Sequence, residues 1–405
     1  MIDAFLLLGI TLLLGFLAVD LFKKTKISEV IILIIFGFLV GYIGLIDVSP
    51  GSIIQQVSPF LGTLALILIL FDGGINLNIF RVTKEFPRAS LFTFAVFLIS
   101  AIITGLLMQY VFGWELIYGI LLGCIAGGIN SAIVIAMVEK ISIRQDIKTM
   151  LILESTLTDV LVVLGSFFVI EALIAKMPSF VDLMRLLASN FSISIVAGVL
   201  FGIIWLSAMA SMEKETKKAY AHILTVAITF IIYSLINLIG GNGHFAVFVF
   251  ALVLGNVKSL AKIMPISEEY FLEREIWTFH KEITFFVRTF FFMYIGLMLV
   301  PHIFEFSAVS AALLISFLAL ITRYFSQKFL IKKATLQEKI AITLILPRGL
   351  SAAVMALYAA SKGITVKGLE EIVLAVILIT NIIATIGTYY AAKKLKGKNF
   401  KQSKK

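Results

Sequence analysis

Residues 145–176 read QDIKTMLILESTLTDVLVVLGSFFVIEALIAK, an apolar run with Glu154, Thr158 and Asp159 inside it. A helix rises 1.5 Å per residue, so about 20 apolar residues cross a hydrocarbon layer roughly 30 Å thick, and this run is long enough to do so. A charge at that depth costs from about 3 to more than 10 kcal/mol, depending on how it is measured, so an intramembrane carboxylate marks a functional site. The chain outside this helix is therefore read for what surrounds and moves that carboxylate.

Hydrophobic residues make up 60% of the 405 positions and charged residues 14%, with a mean hydropathy of +1.06. Soluble domains are about half apolar and a quarter charged. The composition thus predicts an all-α polytopic membrane protein. The single cysteine, Cys124, excludes an intramolecular disulfide and lies in an apolar run, where it packs. The opening MIDAFLLLGI lacks a basic leader and a small-residue cleavage site, and reads as the start of the first span.

Apolar windows predict thirteen spans, at 3–22, 27–46, 57–78, 88–112, 115–139, 147–175, 183–210, 218–240, 244–262, 282–300, 305–330, 337–360 and 369–392. Lysine and arginine gather in every second loop, as at Lys23, Lys24 and Lys26, at Arg81, Lys84 and Arg88, and at Lys140, Arg144 and Lys148. The same holds for Lys214, Lys217 and Lys218, for the loops at 258–281 and 328–339, and for the lysine-rich tail from Lys393. The intervening loops hold only Lys176, Arg185, Lys362 and Lys367. Positive loops stay inside, which predicts an external N-terminus and a cytoplasmic C-terminus. It also accounts for the net charge of +10 without nucleic acid. The segment at about 263–281, carrying ISEEYFLEREIWTFHKE at 266–282, reads as a charged linker too short for a domain.

Counting from the cytoplasmic edge, Asp72, Asn130, Asp159 and Arg348 fall about ten residues deep on four different spans. Two of those spans carry breaking signals: AGGINSAIV at 126–134, with Gly127 and Gly128, and LPRGLSAAV at 346–354, with Pro347 and Gly349. They lie seven spans apart. Matching interruptions in two halves point to inverted six-helix repeats with two crossed broken helices, spans one to six repeated as eight to thirteen.

Several of these residues allow a plain alternative. Asn130 reads either as a cation ligand or as a cap on a half-helix. Asp72 reads as an entry funnel or support behind the ligands, with Ser131 grouped beside it, or as a simple helix-end carboxylate. Glu154 and Arg348 read as a structural ion pair, with Arg288 as a rival partner. His244, after GGNG, reads as a solvated loop histidine.

FDGGINL at 71–77, ESTLTD at 154–159, FFFMYIGLML at 290–299 and PRGLSAAVMAL at 347–357 resemble, in order and on the expected spans, motifs of the monovalent cation/proton antiporter superfamily, nearest the NhaP-like sodium/proton antiporters. The resemblance implies the NhaA/NhaP-like antiporter fold and a homodimer. It implies that Asp159 takes either a cation or a proton, that Ser155 reaches the ion, and that Glu154 pairs with Arg348. Thr158 stands where relatives carry asparagine or aspartate, and Ile129-Asn130-Ser131 replaces a Thr-Asp-Pro.

The chemistry is also readable without relatives. A carboxylate taken partly out of water binds a proton or a cation in competition, and a hard monovalent cation takes oxygen ligands, by analogy with the divalent case. Asp159, Ser155, Thr158, the amide oxygen of Asn130 and the carbonyl of Ile129 supply them. One titrating carboxylate predicts one-for-one, electroneutral exchange of Na+, or Li+, for H+. A K+/H+ exchanger is the nearest alternative and a sodium-coupled organic-solute symporter a more distant one. No P-loop, HExxH or CxxC is present, so neither an enzyme nor a cofactor is expected and an ion gradient supplies the energy. The expected organisation is scaffold at 1–86, core at 87–177, connector and scaffold at 178–301, core at 302–395 and a basic tail at 396–405, in a prokaryotic cell membrane.

Overall fold

Runs of Leu, Ile, Val and Phe surrounded by lipid leave the backbone no partner but itself, and helices satisfy it completely. The computed structural model describes residues 4–25, 28–46, 53–77, 86–175, 180–212, 214–257, 274–298, 305–330 and 334–402, and these contain helices and no strand. In chain order the helices are α1 (Ala4–Thr25), α2 (Glu29–Tyr42), α3 (Ile53–Asn76), α4 (Phe86–Phe112), α5 (Leu116–Ile125), α6 (Ser131–Glu139), α7 (Gln145–Ala175) and α8 (Phe180–Ser211). They continue as α9 (Lys214–Leu238), α10 (Gly243–Gly255), α11 (Arg274–Met298), α12 (Phe306–Leu330), α13 (Leu336–Leu344), α14 (Leu350–Ser361) and α15 (Leu369–Gln402). Among the described residues, seven are long and apolar enough to cross a membrane, and five shorter ones are apolar.

The helices show which face meets lipid. On α4, Leu91, Phe94, Leu98 and Ile102 are exposed at helical spacing, while Phe92, Val96, Phe97 and Ala101 are buried behind them. A soluble protein does not display such an apolar stripe; in a bilayer it is the solvated face.

The chain divides into two compact units, residues 1–60, 83–170 and 289–405 in one and 61–82 and 171–288 in the other. In the first, small residues let helices close to backbone contact, as they do in membranes. A Cβ on Gly119 of α5 would lie 2.8 Å from the Gly105 carbonyl of α4, and one on Gly123 would lie 2.6 Å from that of Ala101. In this unit Thr335 and Glu338 form a capping box that starts α13, and Glu338 also pairs with Arg144 at 3.0 Å. The second unit packs Phe71 and Ile75 of α3, Trp205 and Met209 of α8, Ile232 and Ile236 of α9, and Phe250 and Leu254 of α10 around one core.

Four expectations need correction or a boundary. The broken spans each resolve into two helices, α5 with α6 and α13 with α14. The charged linker is helical from Arg274 onward, and its part at 263–273 lies outside the described residues, as do Lys258, Lys262, Arg81, Lys84, Lys176, Lys332 and Lys333. α15 runs on to Gln402 through the basic tail, since lysine is a good helix former and no Gly-Pro signal stops it. His244 is not a solvated loop residue. Asn242 accepts the Phe245 amide and starts α10 there, so His244 falls in the first turn, 3% exposed, with its ring edge-on to Tyr233 at 4.7 Å.

Candidate functional site

Gly127 and Gly128 weaken one helix, Pro347 and Gly349 another, and the unwound stretches between α5 and α6 and between α13 and α14 release backbone groups that must be satisfied inside the protein. Several of the released groups have partners close by. Arg348 Nη1 donates to the Gly127 carbonyl and, at 2.6 Å, to that of Gly128. The Ile129 amide donates to Thr158 Oγ1 at 3.2 Å, and the Asn130 amide to the Pro347 carbonyl at 2.8 Å. The Ser131 amide donates to Asp159 Oδ2 at 3.3 Å, and Asn130 Oδ1 accepts the Ile133 amide at 3.1 Å. The two breaks cross at Gly349, where a Cβ would lie 2.6 Å from Asn130 Cβ. Only glycine fits there.

Charges complement the half-helices. Asp159 lies at the start of α6 through the Ser131 amide, and Ser351 in the first turn of α14 donates to its Oδ1 at 2.9 Å. Helix N-termini carry partial positive charge, and two of them face this carboxylate. Arg348 sits at the opposite pole, on the carbonyls that follow α5.

Three of the four residues expected at one depth thus meet: Asn130, Asp159 and Arg348. Asp72 does not join this description. It lies on α3 in the other unit and accepts from Asn76 at 2.9 Å. Asn130 is a cap on α6. Thr158 spends its hydroxyl on the break, donating to the Ser155 carbonyl at 3.0 Å while accepting the Ile129 amide. Ser155 is fully buried and donates to Ile152 at 2.9 Å.

The ion pair is the clear correction. Glu154 pairs not with Arg348 or Arg288 but with Arg323 of α12, whose Nη1 and Nη2 both reach its carboxylate. Both side chains are 1% exposed. Arg323 Nε donates to the Ile342 carbonyl at 2.8 Å, and its guanidinium lies 5.7 Å from the centre of the Phe92 ring. The signal was in the chain, because Arg323 stands nine positions before Lys332 in an apolar span and meets the same depth rule. Ser351 also went unnoticed, although it lies within the PRGLSAAVMAL motif.

Removing the Ser351 hydroxyl takes one hydrogen bond from the ionised carboxylate, an interaction worth about 1.5–3 kcal/mol. If Asp159 exchanges a cation for a proton, as the antiporter resemblance implies, Ser351→Ala is expected to raise the cation KM about tenfold, with the difference shrinking at alkaline pH, where protons no longer compete. Initial rates at several pH values check this, and an unchanged KM refutes it.

A family model described as "Sodium/hydrogen exchanger, transmembrane" matches residues 9–394. The K(+)/H(+) antiporter NhaP2 of Shewanella sp. (strain ANA-3) is 29% identical over 267 residues, 63% of this chain and 44% of that protein. The probable Na(+)/H(+) antiporter 2 of Methanocaldococcus jannaschii is 24% identical over 306 residues, 71% of this chain and 70% of that protein. The chain spans less than half the length of the NhaP2 relative. The sodium proton antiporter MjNhaP1 from Methanocaldococcus jannaschii, solved at pH 8, shares the fold with a TM-score of 0.76 at 20% identity, over 93% of this chain and 97% of that one. With nearly its whole length matched by that model, this multi-pass membrane protein belongs to the sodium/hydrogen exchanger family.

Proposed function

We propose that the protein exchanges a monovalent cation for a proton across the cell membrane, one for one, by alternating access around Asp159. One observation carries this reading. Of the two carboxylates on α7 at this depth, Glu154 is neutralised by Arg323, whereas Asp159 is part-buried between the starts of α6 and α14. Arg348 adds a fixed charge, and a fixed charge does not alter the count. The loaded site then has the same charge with one proton as with one alkali ion, so a lone titrating group yields electroneutral exchange.

Asp159 would bind the cation directly, with Ser155, Thr158, Asn130 and the Ile129 carbonyl as candidate oxygen ligands. Thr158 and Asn130 would supply only the lone pairs that their roles at the break leave over. We assign thirteen spans, with α5–α6 and α13–α14 each counted once. An external N-terminus, inverted repeats and a homodimer complete the reading. The pairing of Thr158 with the first break and Thr380 with the second supports the repeats. In that reading α4–α7 and α12–α15 form the moving core.

Sodium is the first candidate ion. Potassium is the second, favoured by the Shewanella relative's name and by the Ile129-Asn130-Ser131 sequence. Purified protein in vesicles with a pH-sensitive dye, challenged in turn with Li+, Na+ and K+, decides between them. Proton movement driven by none of the three refutes antiport, and uptake of an organic solute without proton countertransport would replace it with symport. A rate that changes with imposed membrane potential, at fixed gradients, refutes the one-for-one count.

A further inference from the structure

Thr380 and Asn381 are adjacent on α15 and fully buried, and both are spent on the backbone of a single residue, Arg348. Thr380 Oγ1 accepts the Arg348 amide at 3.2 Å, and Asn381 Nδ2 donates to the Arg348 carbonyl at 2.8 Å. Each is also tied to its own helix, Thr380 Oγ1 donating to Val376 at 2.7 Å and Asn381 Nδ2 to Ile377 at 2.8 Å. A buried hydroxyl and amide are costly unless bonded, and these bonds give the Arg348 backbone one position.

Arg348 lies in the middle of the second break, with the site's contacts on either side of it. Pro347, just before, receives the Asn130 amide. Gly349, just after, lies against the Asn130 side chain. Two residues further on, Ser351 donates to Asp159. A short run of bonded groups therefore leads from α15 to the carboxylate.

The first break is held in the corresponding way by an adjacent pair on α7. Thr158 takes the Ile129 amide and Asp159 the Ser131 amide. The two pairs differ in hydrogen-bond polarity. On α7 the acid faces an N–H and must accept; on α15 the side chain faces a carbonyl and must donate, which an ionised carboxylate cannot do. Asparagine at 381 thus meets the geometry and adds no charge to this crossing.

We propose that Thr380 and Asn381 are positioning residues that set the spacing between Asp159 and the oxygens opposite it, and through that spacing the preference among alkali cations. Selectivity among hard cations depends on cavity size, ligand number and rigidity, and this pair supplies rigidity through the Arg348 backbone. The inference rests on the reading of Asp159 as the exchange site.

The test uses the full chain in vesicles with LiCl, NaCl and KCl, comparing Thr380→Val, Asn381→Ala and Thr380→Ser with the parent and with Asp159→Asn. Expected for the first two is a rise of about fivefold in KM for the preferred ion, a flattened ratio of KM values among the three ions and a nearly unchanged maximal rate. Thr380→Ser, which keeps the hydroxyl, should keep the parent ratios. Unchanged ratios in folded Thr380→Val and Asn381→Ala, or a fall in maximal rate alone, overturn the proposal. If neither variant folds, the pair is purely structural and the proposal also fails. Flux in Asp159→Asn would instead overturn the exchange-site reading, whatever the KM ratios.

Discussion

Asp159→Asn is expected to bring cation-driven proton flux down to the level of protein-free vesicles at every pH, with the protein still folded. Asparagine keeps an oxygen for the Ser131 amide, and its Nδ2 donates to the Ser351 hydroxyl oxygen, which turns from donor to acceptor, so the crossing of the broken helices is retained. What disappears is the one group in the proposed site that exchanges a proton for a cation. Thermal stability should stay equal or rise slightly, since a charge held at membrane depth is removed. In the parent protein the apparent KM for the cation should climb as pH falls, because protons occupy the same carboxylate. Flux measured with a pH dye and folding followed by size exclusion check both halves; cation-dependent flux in the folded variant refutes the assignment.

The largest stability effect is expected at Glu154 and Arg323. Their side chains are 1% exposed and joined by two hydrogen bonds, and breaking a buried pair by removing one partner costs about 3–5 kcal/mol because the other charge is left without compensation. Glu154→Gln leaves Arg323 and Arg348 as neighbouring guanidiniums, so it should be at least as damaging as Arg323→Met. The double variant Glu154→Gln with Arg323→Met removes both charges and should recover part of the loss. Thermal unfolding in detergent of the two single variants and the double gives the coupling. Simple addition of the two losses would show that the pair is not an energetic unit.

The carboxylate and the two breaks were legible because their signals stand against an apolar background. A single Asp in a lipid-length run, Gly127-Gly128 and Pro347-Arg348-Gly349 are anomalies that composition alone exposes. Partner choice was not legible. Counting along a helix gives depth but not direction around the axis, and Arg323 and Arg348 both pass the depth rule; only the packing of α12 beside α4 and α13 brings Arg323 to Glu154. His244 was misread because GGNG looks like an open turn, whereas the side chain of Asn242 caps α10 at once and the next turn is buried. Thr380 and Asn381 were missed because neutral polar residues on a membrane helix stand out less than charges do.

The contact at Gly349 has a mechanical consequence. With the Asn130 side chain packed where a Cβ at 349 would stand, the joint has no slack, and neither broken helix can slide past the other without opening the Asn130–Pro347 bond. The crossing therefore travels as a single casting. If Asp159 is exposed to the two sides in turn, as proposed, the rearrangement is taken up at softer joints around the crossing, and this knot of unwound chain moves as one unit.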